Sequence, residues 1–183
     1  MALNDAAVLQ INAGNYLTAP TATALPADLT APEVAWENVG HTSLEDILNL
    51  SSEGGEATVL GTLQNKALRT TYSTRTDNMK FTLQQFDTAA LKLYFGSNAT
   101  IGASGEVQVP INPVPTTCAF LAIFIDGDNV FAFYAPKAEV YRGDDFSAGD
   151  TTSLAGLPIN VKPLVHNTND WTFAVTPLGE VGP

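Results

Sequence analysis

The sequence predicts a mainly β chain: a β sandwich or closed barrel with one flanking helix and a long extended N-terminal arm. From residue 34 onward, short segments alternate apolar and polar residues with a period of two, which is typical of half-buried strands. One segment has both the capping residues and the apolar spacing of a helix. Three prolines divide the first 34 residues, and each proline removes a backbone donor and disfavours helix.

Length and composition favour a single folded domain. The chain has 183 residues, of which 45% are hydrophobic and only 15% are charged, so it is too apolar and too weakly charged to be disordered. A globule of this length buries roughly 70% of the surface that its unfolded chain exposes. We therefore expect an extended arm over residues 1–34 and one β-rich domain over residues 35–183.

The charge and the single cysteine exclude several classes of function. Eight Lys and Arg stand against nineteen Asp and Glu, a formal net charge of −11, so the surface repels phosphate and specific nucleic-acid binding is disfavoured. Cys118 lies in an apolar run and is interpreted as a small buried hydrophobe, with no intrachain disulfide possible. The N-terminus lacks the pattern of a signal peptide, and the apolar run 119–125 is far shorter than the ~20 residues of a membrane span. We expect a cytosolic protein without a membrane segment.

About nine strands are predicted, and one hairpin stands out. Residues 120–125 and 130–134 are strand-like and flank Asp126-Gly127, a pair that favours a tight reversal. Residues 70–76 have high β propensity but are polar on both faces, so a sheet that contains them needs water or another subunit on one side. A small hairpin or edge ribbon is expected near residues 9–17. Further strands are predicted at 34–39, 57–64, 79–83, 137–142, 159–165 and 171–175.

The helix is predicted at about residues 87–95. Asp87 is suited to be its N-cap, Phe86 and Leu91 can form a hydrophobic staple, and Gly96 is placed to end it. Leu91 and the aromatic residues at 94 and 95 share one face, which we expect to lie against the sheet.

No motif indicates catalysis, a cofactor or a metal. The two imidazoles, His41 and His166, have no neighbouring ligand at metal spacing, and no Gly-x-Ser-x-Gly signature accompanies them. The segments 126–128 and 143–145 could supply oxygens to Ca²⁺, but the twelve-residue loop pattern is missing and turn formation explains them equally well. We expect a non-enzymatic protein with no cofactor and no metal site.

Four short motifs follow one another between residues 16 and 68. They are Tyr16-Leu17-Thr18-Ala19-Pro20, Leu25-Pro26-Ala27-Asp28-Leu29, Trp36-Glu37-Asn38-Val39-Gly40-His41-Thr42-Ser43, and Leu63-Gln64-Asn65 before Leu68-Arg69. In their order and spacing, this stretch resembles the N-terminal half of major tail proteins from long-tailed, non-contractile bacteriophages. The C-terminal half is similar in style, with a strand at 136–140 and a turn at 143–144.

This resemblance implies a β sandwich or barrel of the tail-tube type, assembled as hexameric rings that stack around an acidic channel for the genome. It implies other copies of the chain as partners, together with the tape-measure, terminator and tip proteins of the tail. DNA would pass without specific binding, and the protein would be assembled in the host cytoplasm and reside in the virion tail. The unanchored loop 44–56 would then order against the adjacent ring, and the strand 70–76 would line the channel. The residues assigned on this basis are Glu45, Asp46, Glu53 and Glu56 in the inter-ring loop, and Thr70, Tyr72, Thr74 and Thr76 in the channel-lining strand.

Two other classes remain open at the level of sequence. One is a non-enzymatic β-sandwich module that binds a carbohydrate or a receptor, although such modules usually expose several aromatic residues on one face. The other is a hydrolase that uses His41 or His166.

Overall fold

The computed structural model describes residues 3–45, 47–146, 148, 151–167 and 169–180. These parts of the chain contain a short 3-10 helix, Asp5–Ala7, one α-helix, α1, at Thr88–Phe95, and thirteen strands. The strands are β1 Ala13–Ala19, β2 Glu37–Asn38, β3 Asn49–Glu53, β4 Ala57–Leu60, β5 Arg69–Tyr72, β6 Thr76–Leu83, β7 Thr100–Ile101, β8 Val107–Gln108, β9 Thr116–Asp126, β10 Asn129–Arg142, β11 Leu157–Pro163, β12 Ala174–Val175 and β13 Gly179–Glu180.

Nine of these strands form one antiparallel sheet in the order β2-β1-β9-β10-β11-β6-β3, with β12 and β13 also paired to β10. The predicted mainly β fold with a flanking helix is confirmed. β10 shifts register against β9 between Ala135 and Ala138, where Pro136 cannot donate to the ladder. Before this irregularity β10 pairs with β12 and β13, and after it with β11. The predicted strand 137–142 is therefore the second part of one bent strand.

The central strand β9 is buried on both faces. Phe120 and Phe124 point into a main core formed with β1, β6, β11 and α1. Leu121 and Ile123 point the other way, into a second core that contains Trp36. Because both faces are covered, β9 is a continuous apolar run and does not alternate.

The N-terminal segment contributes to both the sheet and the second core. β1 pairs with β9 along its whole length, from Ala13 opposite Ile125 to Ala19 opposite Ala119, so residues 13–19 belong to the sheet and do not form a separate hairpin. Beyond β1, Leu25 and Leu29 pack against the second core. The Tyr134 hydroxyl donates to the Thr23 carbonyl at 2.7 Å. The domain boundary at residue 34 stays a prediction.

Helix α1 is confirmed where the sequence predicted it. The Asp87 carboxylate accepts a hydrogen bond from the Ala90 backbone N–H at 2.8 Å, and the Gly96 N–H donates to the Lys92 carbonyl at 2.9 Å. The Ala90 hydrogen bond, followed by one from Gln85, lowers the pKa of Asp87. Ala90 and Tyr94 are buried in the main core, so α1 covers one face of the sheet.

Several strand predictions are wrong in their extent. The predicted strand 57–64 ends at Leu60, whose carbonyl accepts from the Leu68 N–H and closes a turn there. The predicted strand 171–175 is reduced to Ala174–Val175, because only these two residues pair with β10. The predicted strand 70–76 is interrupted, because β5 ends at Tyr72 and β6 begins at Thr76. The predicted strand 34–39 is reduced to the two residues of β2, because the Trp36 N–H bonds to the Glu33 carbonyl at 2.9 Å and makes a turn there. None of the helices in the described ranges has both the length and the apolarity needed to cross a bilayer.

Candidate assembly surfaces

A kinked ribbon projects from one edge of the sheet. β3 and β6 pair as an edge hairpin, and the chain between them continues into the separate two-stranded sheet β4–β5. The kink lies at Gly54 and Gly55, which have φ values of 84° and 73°, a region that glycine adopts without steric cost. A Cβ atom on Gly54 would lie 2.2 Å from the Thr74 carbonyl oxygen. We call residues 57–75, which comprise β4, its turn, β5 and the return to β6, the distal hairpin.

The distal hairpin is almost wholly exposed. Thr71 alone among its residues is half-buried, although the segment contains several large apolar side chains. Leu63 is 93% exposed and Tyr72 is 72% exposed. An isolated two-stranded hairpin is marginally stable in water, and clustered exposed apolar residues mark interaction surfaces. The exposed apolar residues are Val59, Leu60, Leu63, Leu68 and Tyr72.

The tip of the distal hairpin is held by local hydrogen bonds. The Thr62 N–H donates to the Asn65 carbonyl at 2.7 Å, and the Ala67 N–H donates to the Asn65 side-chain oxygen at 3.2 Å. The Leu68 N–H donates to the Leu60 carbonyl at 3.0 Å. The loop that displays Leu63 is therefore organised before any contact with a partner, which reduces the entropic cost of binding.

The distal hairpin carries charge of the opposite sign to the rest of the chain. It contains Lys66, Arg69 and Arg75 and no acidic residue, a charge of +3, so the remainder carries −11 − 3 = −14. Arg75 is engaged at the base of the hairpin, where it bonds to Asp77 at 3.0 Å and to Ser52 at 2.7 Å. Lys66 and Arg69 form no ion pair with any residue in the described ranges.

A second surface is the polar sheet face of β3, β6, β11 and the last residues of β10. Alternate residues of these strands, such as Met79, Phe81 and Val161, point into the main core. The residues between them point the other way and pair across the strands, and Lys80 also forms an ion pair with Asp144 at 3.7 Å. The cross-strand pairs on this face are Glu53↔Thr76, Ser51↔Asn78, Asn49↔Lys80, Asn160↔Lys80 and Glu139↔Lys162.

A groove of about 650 Å³ lies beside the first half of β1. β2 pairs only with Leu17 and Thr18, in the second half of β1, and therefore leaves the first half uncovered. Ile11, Gly14 and Leu44 are among its lining residues. This part of β1 has no strand on its outer side within the described chain, so its backbone edge faces the groove.

The two imidazoles lie apart from potential catalytic partners in the described part of the chain. His41 is exposed in this groove and His166 lies beside the Asn167 amide, and no hydrogen bond joins either ring to a Ser, Cys, Asp or Glu side chain in the described residues. Across the same ranges, no group of three or more His, Cys, Asp or Glu could hold a metal ion. Cys118 is 7% exposed, and burial raises the pKa of its thiol to about 11. A thiol with so high a pKa is an unreactive core residue.

The residues predicted for the inter-ring loop are not all in one place. Glu53 ends β3, and Glu56 closes the base of the distal hairpin through its carbonyl, which accepts from the Ser73 N–H at 3.0 Å. Glu45 precedes β3 and is exposed near the groove. Asp46 lies outside the described residues.

The predicted channel-lining residues are divided between the distal hairpin and the polar sheet face. Thr70 and Tyr72 belong to β5 in the distal hairpin, Thr74 lies in the kinked return, and Thr76 begins β6. The exposed apolar residues of the hairpin were not predicted from the sequence. The sequence does contain an indication of them, because Leu60, Leu63 and Leu68 stand among polar residues that follow the glycine pair at 54–55.

Comparison with known proteins favours the tail-tube interpretation among the open classes. A family model described as "Phage tail tube protein" matches residues 1–176. The chain belongs to this family. It is 36% identical over 181 residues to the "Major tail protein Gp23" of Mycobacterium phage L5, an alignment that covers 91% of this chain and 89% of the relative. It is 34% identical over 201 residues to the "Major tail protein Gp23" of Mycobacterium phage D29, with 98% and 99% of the two chains covered.

The chain is thus a structural subunit of a phage tail, like the two major tail proteins to which it is similar. A tube is built from many copies of its subunit, so contacts between copies are expected to use surfaces that the isolated chain leaves uncovered. The distal hairpin and the open edge of β1 are two such surfaces.

Proposed function

We propose that the chain assembles as hexameric rings that stack into a hollow tube around an acidic channel, through which DNA passes without specific binding. The observation that carries this proposal is the polar sheet face. These strands pack against the main core on one side and present the polar sheet face on the other. An antiparallel sheet can face water on one side. Side by side in a ring, six such faces supply a continuous hydrated wall.

The chemistry of the polar sheet face suits a wall along which DNA slides. Its uncharged side chains include the amides of Asn49, Asn78 and Asn160, and its charged residues are few. On the strands, Glu53 and Glu139 balance Lys80 and Lys162, and Asp144, which pairs with Lys80 from the loop after β10, gives an excess of one acidic side chain. Six copies carry 6 × (−11) = −66, and a ring with the sign of DNA forms few contacts that release counterions and retain the duplex.

The channel-lining role predicted for residues 70–76 is retained for Thr76, which is the first residue of β6 and pairs with Glu53. The other predicted positions, Thr70, Tyr72 and Thr74, lie in the distal hairpin. Arg69 and Arg75 flank residues 70–74, and this segment contains no acidic residue. A wall built from this segment alone would therefore be basic, which is why the polar sheet face is the stronger candidate.

The remaining roles follow from the same proposal. The predicted acidic residues at 45, 46 and 56 would contribute to contacts between rings, whereas Glu53, also predicted there, is placed on the channel face by its pairing with Thr76. The tape-measure, terminator and tip proteins would join the tube in the host cytoplasm. The protein would act without catalysis. The isolated settings of His41 and His166 support this.

Cysteine labelling of assembled tubes tests the proposal. Ser51→Cys and Asn160→Cys place thiols on the polar sheet face, and the buried Cys118 contributes little background. We expect these cysteines in intact tubes to react with a small maleimide but not with one coupled to a polymer too large to enter the channel.

The control is the same variants after dissociation of the tubes, where both reagents should react. Val34→Cys, at a fully exposed site outside this face, reports general reactivity. Labelling of the two polar-face cysteines by the large reagent in intact tubes, or failure of the chain to form polymers, would contradict the proposal.

A further inference from the structure

Lys80 and Lys162, the lysines that the described residues place on the polar sheet face, each lie beside a carboxylate. The Lys80 ammonium forms an ion pair with Asp144 at 3.7 Å, and Lys162 lies directly opposite Glu139 where β10 pairs with β11. We propose, resting on the channel wall proposed above, that Glu139 and Asp144 prevent these two lysines from holding DNA. Their role is to neutralise each lysine locally.

The strands aim both lysines at the open side of the sheet. Met79 and Val161, which are next to them in sequence, point into the main core, so Lys80 and Lys162 point away from it. The Lys80 side chain is 43% exposed. Six copies would bring 6 × 2 = 12 such lysines to each ring. If they were free, each contact with a phosphate would release counterions and hold the duplex in a salt-dependent manner.

Screening requires the neutralisation to be local. The total charge of a ring repels DNA at a distance, but the Debye length is about 8 Å at physiological ionic strength. A phosphate at the wall therefore responds mainly to the residues beside it. On this face the acidic side chains exceed the lysines by one. Whether DNA is held thus depends on how each lysine is paired and not on a large excess of negative charge.

The backbone of Asp144 is fixed beside Lys80. Its carbonyl accepts a hydrogen bond from the Tyr94 hydroxyl at 3.1 Å, and Tyr94 is buried in the main core. The neighbouring Asp145 pairs with Arg142 at 2.6 Å, so this arginine has a carboxylate of its own. An asparagine at position 144 would keep the backbone hydrogen bond and remove only the charge.

A purely structural role is the alternative for these two pairs. The Asp144 side chain is 74% exposed, and exposed ion pairs contribute little to folding stability. A structural role therefore predicts a small change in unfolding and no change in the retention of DNA. The two roles differ in what they predict for DNA binding.

Neutralising both carboxylates tests the proposal. Glu139→Gln with Asp144→Asn brings the net charge to −11 + 2 = −9. The control, Glu33→Gln with Glu37→Gln, makes the same change at exposed residues near β2. Tubes of each variant are mixed with linear duplex DNA and sedimented over a series of salt concentrations. We expect the polar-face variant to retain DNA about tenfold more strongly than wild type at physiological salt, and the control to behave as wild type.

Removing the lysines as well shows whether they cause the retention. Adding Lys80→Gln and Lys162→Gln to the polar-face variant restores the net charge to −9 − 2 = −11. We expect this fourfold variant to release DNA as wild type does. Equal retention by the polar-face variant and the control, or retention that persists without the lysines, would overturn the inference.

Lysine footprinting makes the test independent of assembly. The full-length chain, assembled or not, is acetylated with and without duplex DNA, and the modified lysines are identified by mass spectrometry. We expect DNA to protect Lys80 and Lys162 in the polar-face variant but not in wild type. Protection in wild type, or none in the variant, would overturn the inference.

The outcomes separate this inference from the tube proposal. If the polar-face cysteines of intact tubes react with the large maleimide, the channel wall is wrong, whatever the footprint shows. If they are shielded and the footprint of the polar-face variant equals that of wild type, only the inference about Glu139 and Asp144 fails.

Discussion

At the scale of residues, aromatic contacts tie the strands of the main core together. The Tyr16 ring stacks on Phe81 at 4.5 Å between centroids and meets Phe124 edge-on at 6.0 Å. Tyr16, Phe81 and Phe124 come from β1, β6 and β9. The cluster therefore links β1 both to its neighbour β9 and to β6, which lies near the opposite end of the sheet. The Tyr16 hydroxyl donates to the Ile47 carbonyl, and burial raises the pKa of Tyr16. Because the buried Tyr16 hydroxyl keeps its proton, it serves as a structural hydrogen-bond donor to the segment before β3.

The glycine pair at the kink permits a comparison between neighbouring residues. Gly54→Ala should disturb the ribbon more than Gly55→Ala, because a Cβ on residue 54 lies 2.2 Å from a carbonyl oxygen, whereas the nearest atom for residue 55 is 3.9 Å away. Both changes carry the penalty of a left-handed backbone, roughly 1–2 kcal/mol. The additional clash should appear as faster hydrogen exchange at the Ser73 N–H, which bonds to Glu56. Equal exchange in the two variants would show that the kink does not depend on the close approach at Gly54.

At the scale of elements, the sequence predicted best what is encoded locally. The α1 helix was found because Asp87 and Gly96 mark its ends, and the β9–β10 hairpin because Gly127 takes a φ of 58° between its strands. The break between β5 and β6 was not predicted because its cause lies outside residues 70–76. The chain kinks at Gly54 and Gly55, on the opposite strand of the ribbon. The pairing of β1 with β9 was missed because alternation shows that a strand exists but not which strand it joins.

The N-cap of α1 gives a prediction for an element. Asp87→Ala should lower the free energy of unfolding by about 1 kcal/mol, because the Ala90 N–H loses its acceptor, while Asp87→Asn should retain most of it. The pKa of the Asp87 carboxyl is lower in the folded state, so its contribution is present above the unfolded pKa. It is lost as the pH falls through the folded pKa. Urea denaturation should therefore show a difference between wild type and Asp87→Ala that shrinks in acid; a difference independent of pH would contradict this assignment.

At the scale of the whole molecule, the sequence indicated a charged assembly but not how its charge is divided. The net charge of −11 and the positions of Lys66 and Arg69 are visible in the sequence. That residues 57–75 leave the body, and so separate +3 from −14, follows only from the structure. The polar sheet face likewise required the register of β3, β6 and β11, because its residues come from segments distant in the chain.

Electron cryo-microscopy of tubes assembled from the full-length chain tests the central claim most directly. The expected map shows stacked rings of six copies around an open channel, with the face of β3, β6 and β11 lining that channel. A compact oligomer without a channel, or a channel lined by a different and basic surface, would contradict it.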